Sequence, residues 1–245
     1  MNLHLVPPRW GLLPEALGSL RVPDYESTID EIQRFRGRIY VQDEALPPTA
    51  LDLTGRHRST LDYRAWHLVT RNPQGLTMGV MRVPFYVAGT PVDEFGFAKV
   101  LERMNRTEQI FYKTTIQQFI DESAQAGYTA VGEPGGWAVD KALCNRQTGL
   151  NLALATFALH RLQGRTVAVA TATVKHHAAD LLKMLGAFNP FEGTGHARFY
   201  DPFFRCEMEF LFVYAEKVAE RFEGVVVKLM DHLHFSSTVI DRSGL

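Results

Sequence analysis

The stretch from Glu133 to Ala187 restricts the fold most, because strand and helix signals alternate there with little slack. Gly135-Gly136-Trp137-Ala138-Val139 predicts a strand with a glycine-softened start, and Cys144 to Gly149 a short polar loop. Leu150 to Gln163 has no Gly or Pro and is rich in Leu and Ala, which predicts a helix. Gly164 ends it, since glycine tolerates the left-handed backbone of many helix C-termini. Thr166 to Thr173 is β-branched and apolar enough for a buried strand. Val174 to Leu185 spaces Ala178, Leu181, Leu182 and Leu185 as a helix does, closed by Gly186. Strand, helix and strand in this order make the two strands parallel neighbours with a right-handed crossover.

The loop before the first of these helices carries a chemical signal. The first N–H groups of a helix lack partners within it, and the helix dipole adds partial positive charge there. Gly149 admits a phosphate close to the backbone and Arg146 adds a full charge, so the loop suits a pyrophosphate or phosphopantetheine phosphate. The same Thr148-Gly149 pair equally suits a plain helix start.

Arg146-Gln147-Thr148-Gly149-Leu150-Asn151 is similar to the (Q/R)-x-x-G-x-(G/A) acyl-donor loop of the GNAT acyltransferase superfamily, with Asn151 in place of the usual small residue. The strand ending Gly-Trp-Ala-Val-Asp140 and the closing Met184-Leu185-Gly186-Ala187 also resemble that fold. Within the superfamily the chain looks most like the branch of acyl-homoserine-lactone (autoinducer) synthases and N-acyl amino acid synthases, over roughly residues 30 to 214. The resemblance implies an α/β fold: a GNAT-type mixed twisted sheet flanked by helices. It also implies an acyl-CoA or acyl-phosphopantetheine donor on acyl-carrier protein, bound by Trp137, Ala138, Val139 and the loop Arg146 to Asn151.

Composition sets the frame for this reading. With 245 residues, 46% hydrophobic and 22% charged, the chain suits one elaborated domain able to bury a core without disulfide or metal staples. That domain divides into an extended arm (1–24), a core (25–214) and a C-terminal helical extension (215–245) that packs on the sheet or serves a homodimer contact. A formal net charge of −1 and no long basic run give nucleic-acid binding no support. No apolar run reaches the ~18 residues of a membrane span. Two cysteines and an N-terminus without a signal-peptide pattern point to a cytoplasmic protein with reduced thiols.

Along the chain, Trp10, Leu12 and Leu13 in the arm need cover, and Pro14 to Gly18 suits a helical turn. Tyr25 to Asp43 reads as a helix: Ile29, Ile32, Phe35, Arg36 and Ile39 keep three- and four-residue spacing, with Asp24 or Ser27 as cap. Glu44 to Leu61 reads as a loop, which in the resembled branch covers the active site and orders on binding. Asp62 to Thr70, a turn at Asn72 to Gly75, and Leu76 to Val87 form a hairpin. Phe95 to Met104 and Glu108 to Ala126 read as helices whose aromatic stripe serves as core or lines an acyl tunnel. Arg205 to Tyr214 alternates as a strand with one apolar face, and Ala215 to Phe235 is helical around Gly224, with the last ten residues frayed.

The resemblance assigns roles. Glu133 corresponds to the glutamate of the synthase motif E-x-x-R, as base for the amine; the arginine position is Gly136, which disfavours a lactone product. Asp62, in the pattern D-x(3–5)-H-L-V followed by G-x-x-R, is the second base or amine binder. Arg38 and Arg82 are substrate-binding candidates. Many GNAT enzymes place a general-acid tyrosine where this chain has Leu182. Lys141, Arg146, Arg161, Arg165 and Lys175 suggest a basic rim for an acidic carrier protein. No metal is expected, since adjacent His176 and His177 would point about 100° apart on a helix. These residues imply an N-acyltransferase acting on a small-molecule amine acceptor such as an amino acid; an autoinducer synthase and a non-catalytic acyl-thioester binding module are the alternatives.

Overall fold

The computed structural model describes residues 2–10, 24–143 and 146–239; the side chains of Arg146 and of residues 235–239 lie outside that description. The chain opens on an edge strand, β1 (Asn2–Val6), antiparallel to β2. Leu3, Leu5 and Val6 are buried, and this pulls the start of the expected arm into the sheet. The expected turn at Pro14 to Gly18, and Leu12 and Leu13, lie outside the described residues.

Helix α1 (Tyr25–Gln42) is capped by Asp24, whose carboxylate accepts from Ser27 N–H. A single 3₁₀ turn over Thr60–Tyr63 precedes β2 (Ala65–Arg71), so the expected strand starts three residues late. The cause is local: Ser59 and Asp62 form a capping box, which coils the backbone and turns the Asp62 carboxylate inward. β3 (Thr77–Val87), the short α2 (Ala98–Leu101) and the long α3 (Arg106–Gln125) follow. Then come β4 (Ala130–Gly132), β5 (Gly135–Val139), α4 (Arg146–Leu162), β6 (Thr166–Thr173) and α5 (Ala178–Met184). A hairpin of β7 (Phe199–Asp201) and β8 (Cys206–Tyr214) and a final helix, α6 (Glu223–Val239), complete the described chain.

The eight strands run β1-β2-β3-β4-β6-β8-β7, with β5 paired to β3 beside β4. On one face, α4 and α6 cover a continuous core including Trp66, Leu68, Met81, Leu154 and Leu211. On the other face two separate clusters form: α1 over Val69, Val80 and Ala138, and α3 over Tyr86, Val131, Val169 and Phe212. β8 is buried on both faces, not one: Phe210 and Phe212 go to the α3 side, Leu211 and Val213 to the α4 side. Helix α6 lies against α4 and β1, with Val226 and Leu233 fully buried. Each such side chain contributes ~1.5–3 kcal/mol.

Between the two clusters the sheet parts. One half of β3 pairs with β4 (Phe85 to Val87) and the other with β5 (Gly79 to Arg82). β4 pairs in parallel with β6 only from Ala130–Gly132 against Thr166–Ala168. Thereafter β5 stays with β3 and β6 stays with β8. The expected parallel pairing of Gly135–Val139 with Thr166–Thr173 is therefore not made: β5 pairs with β3, and the parallel neighbour of β6 is the short β4. Glu133-Pro134 breaks the ladder, because proline has no N–H to offer a neighbouring strand. A bulge then sets Gly136 and Trp137 opposite Met81 alone, with Gly136 at φ +60°. A side chain at Gly136 would be strained: the φ is left-handed, and a Cβ there would come 3.1 Å from Arg82 Cγ and 3.3 Å from Arg36 Nη1.

Candidate active site

A cleft of about 1280 Å³ opens where β5 and β6 diverge, lined by Gly135 to Val139 on one side and Ala170 to Thr173 on the other. It exceeds the ~300–1,000 Å³ of a usual ligand pocket, so two reactants have room. Asp140 N–H donates to Met78 O, which turns that residue toward β3. Strand alternation then turns the N–H and C=O of Val139 to the opposite edge, facing the gap. Gly149 borders the same cleft in the first turn of α4, with its Cβ direction 3.5 Å from the Trp137 ring. The Arg-Gln-Thr-Gly run is thus the first helical turn and not a loop before it. Cys144 and Asn145 lie outside the described residues, and only the backbone of Arg146 is described. Thr148 is buried, Gln147 exposed, and Leu150 and Asn151 half-buried.

Glu133 stands at the vertex, between β4 and β5, its remaining surface facing the cleft. Its Oε2 accepts from Gly96 N–H at 2.7 Å and Tyr86 Oη at 2.9 Å. Burial raises its pKa, and those two donors, with Arg82, only partly offset this. Gly96 is required here, because a Cβ would collide with Leu61 and with the Glu133 carboxylate. Tyr86 is held in turn: its ring lies 4.1 Å from that of Phe95, and the Arg64 guanidinium sits 4.7 Å above it.

Asp62 has opposite surroundings. It is completely buried, with Oδ2 accepting from Arg36 Nη2 (2.8 Å), Gln33 Nε2 (3.0 Å) and Ser59 N–H (3.1 Å), and Oδ1 from Arg82 Nη1 (2.9 Å). Burial alone would raise its pKa, but Arg36 and Arg82 outweigh it and hold the carboxyl well below the usual range. A carboxylate so paired is a poor proton acceptor; it anchors Arg82, which does border the cleft. Arg38 stands elsewhere, paired with Asp140 at 2.8 Å and lying over the Phe35 ring.

Three further residues belong to the site. Arg36 is the fully buried arginine of α1, and it binds His57 as well as Asp62. His57 and Tyr40 border the cleft with rings 5.3 Å apart. The signal for Arg36 was in the sequence: a charged residue on the apolar stripe of Ile29, Ile32 and Ile39 has to be paired when buried. His57 left no such mark.

The remaining expectations separate by segment. Phe95, Phe97 and Val100 line the cleft, whereas Tyr112, Ile116 and Ile120 of α3 are solid core. Leu182 lines the cleft and leaves it without a tyrosine at that position. His176 borders its mouth, while His177 sits at φ +57° with Nδ1 3.2 Å from Asp180. Of the expected basic rim, Lys141 binds Asp43 (2.6 Å) and Lys175 approaches Glu44 (3.8 Å). Arg161 is bound instead to Glu223 and Arg165 to Ala126 O, so neither joins that rim. Among the described residues no helix is long and apolar enough to cross a membrane, and no cluster of His, Cys, Asp or Glu could hold a metal ion.

A mixed sheet that splits at its centre, flanked by helices, is the GNAT-type fold, and this chain has it. Within that fold its likeness runs to acyl-homoserine lactone synthases. One is BjaI, a CoA-dependent acyl-homoserine lactone synthase solved with SAM and isopentyl-CoA: 14% identity, TM-score 0.55, covering 96% of this chain and 89% of BjaI. Another is TofI, solved in a ternary complex with an inhibitor and MTA: 13% identity, TM-score 0.52, covering 88% of this chain and 92% of TofI. No protein-family model and no curated protein sequence matches the chain.

Proposed function

We propose that this protein is an N-acyltransferase that moves a fatty acyl group from an acyl thioester onto a small amine, an amino acid being the favoured acceptor. The observation that carries the reading is the parting of β5 from β6 into a cleft with Glu133 at its vertex. An extended thioester arm fits between two separated strand edges, where free backbone groups such as those of Val139 can bond it and polarise its carbonyl. The acyl chain has apolar walls in Phe97, Val100, Leu182 and Met208, and each buried CH₂ contributes ~0.8 kcal/mol.

In the reaction, the amine nitrogen attacks the thioester carbonyl carbon. The C–N bond forms, the C–S bond breaks, and the sulfur leaves as thiolate. The proton shed by the nitrogen goes to Glu133, whose raised pKa makes it a better proton acceptor than an ordinary carboxylate. With Leu182 at the usual tyrosine position, the thiolate leaves to solvent unprotonated by the protein. Asp62 and Arg36 act through Arg82, holding its guanidinium beside the cleft.

Acyl-CoA is the favoured donor. BjaI is described as CoA-dependent, and the lysines expected to greet an acidic carrier protein are already paired with Asp43 and Glu44. The test incubates the full chain with palmitoyl-CoA and pooled amino acids, and measures free thiol and N-acyl product. Thiol release that requires an amino acid supports the reading. Thioester binding without release overturns it in favour of a binding module, and lactone formation from SAM in favour of a synthase like its structural neighbours.

A further inference from the structure

The segment between α1 and β2 arrives at the cleft already fixed. Asp52 accepts from the N–H groups of Thr54 (2.9 Å) and Arg56 (3.0 Å) and pairs with Arg58 (2.7 Å), while Arg56 reaches across to Asp30 (2.6 Å). The segment docks on α1 at Gly37, where a Cβ would lie 2.7 Å from Gly55 O and 3.1 Å from His57 N. His57 N–H donates to Gln33 O at 3.1 Å, and Arg36 Nη2 donates to His57 O at 2.7 Å. The backbone of His57 is therefore held at both ends.

The ring is fixed as well. Arg36 Nε donates to His57 Nδ1 at 3.0 Å. A guanidinium can only donate, so Nδ1 is unprotonated and the neutral ring carries its hydrogen on Nε2. That Nε2 has no partner among the described residues, and the ring borders the cleft beside Tyr40. Burial first, then Arg36 and Arg82, push the His57 pKa down to about 3 against the pull of Asp62. The imidazole is thus a neutral donor at every pH above ~4. Arg82, at the same end of the cleft, also only donates. Two donors call for an oxygen acceptor on the ligand.

Resting on the acyl-transfer reading, we infer that His57 selects the acceptor: its Nε2–H donates to an oxygen of the incoming amine, a carboxylate foremost, alongside Arg82. Glu133 then faces the nitrogen of the same molecule. The acceptor class is an amine carrying an anionic oxygen, and simple alkylamines are poor substrates.

Two substitutions separate this role from a structural one. Asn at 57 restores an oxygen for Arg36 Nε and has no donor where Nε2 was. Gln reaches that place with an amide N–H. The expected result is a Tm near wild type for H57N, with the acceptor KM raised about tenfold or more and the thioester KM unchanged. H57Q recovers much of the acceptor KM. Equal acceptor KM for H57N and wild type overturns the inference, as does turnover of alkylamines equal to that of amino acids. A second measurement stands apart from turnover: the full chain with ¹⁵N-labelled histidine is titrated with free amino acids. The proton of His57 is expected on Nε2 at neutral pH, with its resonance moved by a carboxylate-bearing amine. A proton on Nδ1, or a resonance that no amino acid moves, overturns the inference. If wild type turns nothing over but that resonance moves, the acyl-transfer reading fails while His57 keeps its role as a carboxylate donor.

Discussion

Asp62 and Glu133 both feel Arg82, yet the two ends of the cleft drive them in opposite directions. Asp62 is enclosed by two guanidiniums, an amide and a backbone N–H, and stays ionised far into acid. Glu133 receives one phenol and one backbone N–H, and burial raises its pKa. Residue type therefore does not decide which acid does chemistry. A carboxylate whose charge is fully paired cannot take a proton at neutral pH; one whose charge is under-compensated can. In the proposed reaction the first holds the architecture of the acceptor end and the second takes the proton.

The hardest blow to this contrast comes from Glu133→Gln. The amide still accepts from Gly96 and Tyr86 but cannot take a proton. Turnover is expected to fall by ~10²–10⁴ with little change in thioester binding. Stability moves the other way. The folded pKa of Glu133 lies above its unfolded value, so its favourable contribution is complete below the unfolded pKa and is lost as pH rises through the folded one. At neutral pH the ionised carboxylate is a cost, and the variant should unfold at a Tm no lower than wild type. Intact turnover in this variant would remove Glu133 from the chemistry.

Asp62→Asn tests the other end. It leaves Arg36 and Arg82 as buried cations without a counter-ion, an expected loss of ~3–5 kcal/mol in urea unfolding. Here the folded pKa lies below the unfolded one. The stabilisation is present above the unfolded value of ~3.9 and declines as pH falls toward the folded value. Wild type should therefore lose stability below about pH 4, and the variant should lack that component of the decline. A variant as stable as wild type would mean that the network is not what holds the acceptor end.

How much of this was legible depended on whether the cause was local. The spacing of Thr166 to Thr173 gave β6 residue for residue, and the Glu133 position followed from the strand it precedes. The break after Gly132 was written in Pro134 and the glycine pair, but the short β4 before it was too brief to show a period. Arg36 and Arg38 show where local reading fails. They stand two positions, about 200°, apart on α1, so one enters the core and the other faces Asp140. The apolar spacing of α1 already put Arg36 on the inward stripe; what no window of sequence contains is the register of the helix against β3 and β5 that brings Arg38 to Asp140. His57 lies further out of reach, because its place depends on Gly37 letting a loop touch the helix.

The gentlest probe is Tyr86→Phe. The ring keeps its packing on Phe95 and beneath Arg64, and only the hydroxyl bond to Glu133 is lost. That bond favours the ionised carboxylate, so without it the Glu133 pKa climbs further. The acidic limb of kcat/KM should then move to higher pH, by about one to two units, since a hydrogen bond to a charged group is worth ~1.5–3 kcal/mol and one unit corresponds to ~1.4 kcal/mol. The plateau at high pH should be nearly unchanged, because there the base is ionised in both proteins. A limb that stays in place while the plateau drops would move the hydroxyl from Glu133 to the substrate. The raised pKa of Glu133 would then be burial offset by Gly96 and Arg82 without help from the hydroxyl, and the contrast with Asp62 would become one of desolvation against ion pairing.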